Sequence, residues 1–192
     1  MMRLPYLGLV LLLVSPLAAD GPRDNDPATV RRVPRLGVEV PEEQANRLRD
    51  GLERLREKIA GLQQKEDELT RSLLPDVMIY HRAVEGNLAH GEFFSAGDIQ
   101  KAHRLLATGI ERASQLAAGN APWTRQNGLV VRGYKSRIDH TVQPYGLVIP
   151  ASYRADGELP SRVDVWFHGR GETLSETNFI DQRSRQAGQY TP

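Results

Sequence analysis

The chain has 192 residues, with 25 Lys and Arg against 24 Asp and Glu and a formal net charge of +1. That balance gives no electrostatic case for nucleic acid or an anionic membrane as a partner. Cysteine is absent, which excludes a disulfide framework, a thiol nucleophile and a thiolate metal site.

The N-terminus has the three parts of a secretory signal. Arg3 supplies the basic region, Leu7 to Val14 the apolar region, and Ser15 to Ala19 a small-residue cleavage zone. The apolar stretch is shorter than the ~20 residues of a membrane span. The pattern predicts a signal peptide over residues 1–19 and a secreted or periplasmic product with no stable membrane span after cleavage. An uncleaved anchor is the alternative. Residues 20–41 form a linker, broken by Pro22, Pro27, Pro34 and Pro41.

From Pro41 a helix begins, with Glu42 and Glu43 suited to its positive end. Leu48, Leu52, Leu55, Ile59, Leu62 and Leu69 form a heptad-like seam on an otherwise charged surface. Such a stripe suits either packing in a small bundle or helix-mediated self-association through residues 48–69. Gly51 and Gly61 weaken a free rod, each by about 1 kcal/mol relative to Ala, and favour the bundle. Pro75 resets the chain. Val77, Ile79, Tyr80, Val84 and Leu88 mark a shorter helix ending near Gly91. Ser95 to Asp98 is a capping-box pattern. Behind it, Ile99, Ala102, Leu105, Leu106, Ile110, Ala113 and Leu116 give one apolar face until Gly119 and Pro122. Residues 42–119 thus form a helical region of about three helices.

The character changes at residue 120. Gly128 to Tyr134 and Pro144 to Pro150 have strand composition, with a polar turn between them, and Asp156-Gly157 suits a loop. Val163-Asp164-Val165-Trp166-Phe167 is expected as a buried strand, running into His168-Gly169-Arg170-Gly171. Thr173 to Glu176 is a second capping-box pattern, opening a helix from about Leu174 to Arg185. Strand, glycine turn and helix start together aim backbone N–H groups at an anion. The turn has three readings: half of an oxyanion hole, a dinucleotide-binding turn, or a purely structural connection. The second is weak, because Leu174 stands where the third Gly of G-x-G-x-x-G would be.

No metal or cofactor motif is present. The five histidines form no H-E-x-x-H, and Walker A and EF-hand patterns are absent. No serine sits in a G-x-S-x-G. The adjacent Asp139 and His140 fit a solvated turn better than an acid–base pair.

Three segments together carry a resemblance: Ala121 to Thr124 with Gly128 to Asp139, Val142 to Pro150, and Asp164 to Glu172. As a set they resemble secreted α/β-hydrolases of the prolyl oligopeptidase-like type from planctomycete-like bacteria. The likeness covers residues 121–185 closely and 75–192 loosely. It implies an α+β to α/β fold, in which the helical region precedes the first strands of an incomplete α/β-hydrolase sheet over residues 120–192. It also implies a serine hydrolase acting on a peptide or ester. Only His168, Gly169, Arg170 and Gly171 carry over, as the first oxyanion-hole element, with Arg170 in a customary Gly position. The family's nucleophile, acid and histidine have no counterpart here, so the resemblance implies an N-terminal portion that is inactive alone. The competing expectation is an exported non-catalytic module associating through the 48–69 seam.

Overall fold

A computed structural model describes residues 35–153, 162–167, 169 and 171–185. All belong to one unit, Val33–Pro192. The expected signal peptide, most of the linker, the Asp156-Gly157 loop, His168 and Arg170 lie outside the described residues.

Helix α1 spans Glu42–Gln63 and buries Leu48, Leu55, Ile59 and Leu62. It ends at Gln64, and Asp67 starts a separate helix α2, Glu68–Leu73, by accepting a bond from the Thr70 N–H at 2.8 Å. Leu69 therefore lies on another element and is exposed. Helix α3, Pro75–His90, follows at once and closes on Gly91, whose φ of 65° is the left-handed conformation that ends helices. Helix α4, Ala96–Ala117, carries the expected capping box: the Asp98 carboxylate accepts from the Ser95 N–H at 2.9 Å. The helical region thus holds four helices rather than about three, because Asp67 starts a new helix where the seam from Leu48 to Leu69 reads as one.

Most of the seam does not face outward. Leu48, Leu55, Ile59 and Leu62 enter one hydrophobic core with Val77, Tyr80 and Val84 of α3 and Ile99, Ala102, Leu105, Leu106 and Leu116 of α4. Leu48, Leu55, Ile59 and Leu62 of the 48–69 seam are thus consumed inside the chain, while Leu69 stays exposed. Two glycines bring the helices close. A Cβ on Gly51 would lie 2.8 Å from Leu106 Cδ1, and one on Gly109 would lie 2.8 Å from both Leu55 Cδ2 and Tyr80 Cβ. Gly109, whose Cβ would meet the root of the Tyr80 side chain, is the tighter of the two, since at Gly51 only the flexible end of Leu106 is in the way.

Beyond a 3-10 turn at Pro122–Arg125, strand β1, Gly128–Lys135, pairs antiparallel with β2, Val142–Ile149, with Val131 opposite Gly146 and Gly133 opposite Pro144. The described sheet has these two strands. Helix α5, Glu176–Ser184, packs on α3, α4 and both strands. The fold is α+β: helices on a two-stranded antiparallel sheet.

Residues 162–167 are not a strand, and the expectation of a buried one is corrected. Val163 is 80% exposed, Val165 72%, Trp166 85% and Phe167 88%. A strand is held by its neighbours' backbone groups, and no described strand lies beside this segment.

Candidate functional site

The glycine loop is the candidate the sequence singles out, and Gly169 and Gly171 are its described residues. On Gly169 a Cβ would meet nothing within 4 Å, so one side of the chain there is open. On Gly171 it would lie 3.0 Å from Leu174 Cβ, so the chain folds back tightly on itself. The turn then continues through Glu172 and Thr173, and helix α5 starts at Glu176. Its cap is Ser175, whose Oγ accepts from the Asn178 N–H at 3.3 Å, rather than Thr173. The helix N-terminus is thus set back from the glycine loop and closed by its own serine.

Polar contacts from far along the chain fix α5. Asn87 Nδ2 donates to Ser175 Oγ at 3.4 Å, and the Thr177 hydroxyl donates to the Ala83 carbonyl at 3.3 Å. Arg82 pairs with Glu176 at 3.1 Å, Lys101 bridges Asp98 and Asn178 at 2.8 and 2.6 Å, and Asp181 pairs with Arg104 and Arg185 at 3.0 and 2.6 Å. One oxygen of Glu176, Oε2, is buried with no hydrogen-bond partner. Burial pushes this carboxyl above the usual carboxylate range, and the neighbouring Arg82 opposes part of the shift. Apart from the local pairs Lys101–Asp98 and Arg185–Asp181, these contacts span 77 to 94 positions of sequence, and no local motif reveals them.

A second centre is equally hidden from the sequence. Asp76, in the first turn of α3, is buried and accepts three bonds: from Trp123 Nε1 at 2.8 Å, Arg132 Nε at 2.6 Å and the Gly133 N–H at 2.7 Å. Arg112 of α4 lies between the Tyr80 and Trp123 rings, 5.2 and 4.9 Å from their centroids. It donates to the Val131 carbonyl at 3.0 Å. Burial lowers the Arg112 pKa and raises that of Tyr80. With Asp76 already holding three donors, the cluster fits a joint between helices and hairpin better than a proton-transfer site. A Cβ on Gly133 would collide with the Pro75 carbonyl, so this joint needs glycine there.

The remaining candidates are surface features. His81 faces Glu85 at 3.6 Å and His103 faces Gln44 at 2.9 Å; burial lowers both pKa values. Asp139 is engaged by Thr141 in the hairpin turn, where His140 has a left-handed φ of 59°. Ser72, Ser114 and Ser184 donate to carbonyls within their helices. Ser95 and Ser175 cap helices. None of these five hydrogen-bonds a histidine ring. A shallow cleft beside His103 is lined by Gln44, Arg47, Asp50, Arg54 and Gln100, and Arg47 is already paired with Glu43. Among the described residues, no three His, Cys, Asp or Glu side chains group as metal ligands, and no helix is long and apolar enough to cross a membrane. The chain matches no family model, no curated protein and no solved structure.

Proposed function

We propose that this chain is the N-terminal portion of an exported serine hydrolase of the prolyl oligopeptidase-like α/β type. In this reading the His168–Gly171 loop supplies the first half of an oxyanion hole. One observation carries it: a β-prone run, Val163 to Phe167, stands exposed directly before the glycine loop, while the described sheet has only two strands. An apolar, β-branched and aromatic run of that kind suits a strand with neighbours on both sides. The helical region, the hairpin and α5 then form the scaffold on which a larger sheet is completed.

Hydrolysis needs a serine to attack the carbonyl, a histidine to take its proton and an acid to orient the histidine. A backbone N–H of the glycine loop would stabilise the oxyanion that the attack creates. The nucleophile elbow is absent from these 192 residues, so the purified chain should not turn over an acyl ester or a peptide. Turnover abolished by a serine-directed fluorophosphonate would overturn that expectation. The family reading has its own test. The DNA following codon 192 should encode an in-frame G-x-S-x-G, then an acid and a histidine; an unrelated gene there would sink it.

A further inference from the structure

The two outer edges of the hairpin differ. In the β1–β2 register, Ser136 and Thr141 form a hydrogen-bonded pair just past the strand ends. Alternation therefore turns the backbone groups of Leu129, Val131, Gly133 and Lys135 on β1 outward, with those of Val142, Pro144, Gly146 and Val148 on β2. In the middle of β1 the Gly133 N–H donates to Asp76, and the Val131 carbonyl accepts from Arg112. On β2 the Val142 carbonyl accepts from Arg82, and Pro144 has no N–H to offer. The N–H and C=O of Gly146 and Val148 have no such partner among the described residues. Val148 is also an exposed apolar side chain. This stretch of the β2 edge is left able to take a strand, and such an edge pairs with whatever extended segment reaches it.

The chain also carries a segment of the complementary kind. Residues 163–167 expose four large apolar side chains, a patch that isolated proteins ordinarily cover. We propose that two copies of this chain exchange strands, residues 163–167 of each adding to the outer edge of β2 at Gly146 and Val148 of the other. Because every copy holds both an edge and a segment, the exchange closes on itself as a two-fold dimer. This concerns the 192-residue chain by itself and does not rest on the hydrolase reading.

Sedimentation velocity from micromolar to hundreds of micromolar chain tests it, with two variants. Val148→Pro removes an edge N–H, and Trp166→Asp with Phe167→Asp spoils the segment. The wild type should dimerise reversibly, and each variant alone should dimerise about tenfold or more weakly, a loss of roughly 1.4 kcal/mol or more. An equimolar mixture of the two variants should recover a heterodimer, since one intact edge then meets one intact segment. A strictly monomeric wild type, or variants that dimerise as it does, would overturn the proposal. Hydrogen exchange on the wild type decides even if a variant fails to fold: the Gly146 and Val148 amides should gain protection as concentration rises. Protection that does not depend on concentration would mean pairing within one chain and would overturn it, as would fast exchange throughout.

Discussion

At the scale of single residues, two of the buried aspartates, Asp76 and Asp98, carry the sharpest expectations. Asp76 holds a guanidinium, an indole N–H and a backbone N–H at 2.6 to 2.8 Å. Removing one member of a buried ion pair strands the other, so Asp76→Ala should cost about 3–5 kcal/mol. Urea unfolding followed by tryptophan fluorescence measures it, and Trp123 should redden as its indole loses its acceptor. Asp98 is different in kind. Burial pushes its carboxyl up, but Lys101 and the Phe94 and Ser95 donors together outweigh burial and hold it below the usual range. A depressed folded value means its stabilisation is present above the unfolded pKa and is lost as pH falls through the folded one. Asp98→Asn should therefore flatten the acid limb of the stability curve. Asp98→Ala should cost about 1–2 kcal/mol at neutral pH, as expected for a lost helix cap. The capping role of Asp98 was legible from Ser95 to Asp98 alone, because a cap needs only four consecutive residues. The role of Asp76 was not: Trp123, Arg132 and Gly133 are 47 to 57 positions away.

At the scale of elements, α5 is the piece held most by charge. Glu176 is raised by burial, with Arg82 opposing, so the sign is opposite to that of Asp98. A raised folded value means the neutral form is favoured on folding, and that contribution is lost as pH rises through the folded pKa. Stability of the wild type should decline from the ordinary glutamate range upward. Glu176→Gln should remove that slope, as thermal melts across mildly acidic to neutral pH would show; an unchanged slope would mean that Glu176 is not its source. The helices themselves were visible in the sequence through periodicity and caps, and both hairpin strands through their composition. The segment at 163–167 was misjudged for a physical reason. Val, Trp and Phe describe how well a residue suits a strand, but a strand exists only where a neighbour accepts its backbone bonds. Composition carries the first property and says nothing of the second.

At the scale of the whole molecule, the helices, the hairpin and α5 share one core, and the Asp76–Arg112 joint locks the hairpin to α3 and α4. The lock also occupies the middle of the β1 edge, at Val131 and Gly133. The exposed stretch of the β2 edge underlies the strand exchange, and the oligomeric state of the purified chain tests it. By itself, the sequence determined the order of helical region, hairpin and final helix, together with the start of α4 and the stop of α3. Those features depend on periodicity and on caps a few residues long, so local chemistry suffices. Only the tertiary structure decided that most of the leucine seam faces inward, that Gly51, Gly109 and Gly133 are contact points, and that Asp76 and Arg112 occupy the middle of one sheet edge. Each of those depends on which distant surface a residue meets, and a single chain read in order does not contain that information.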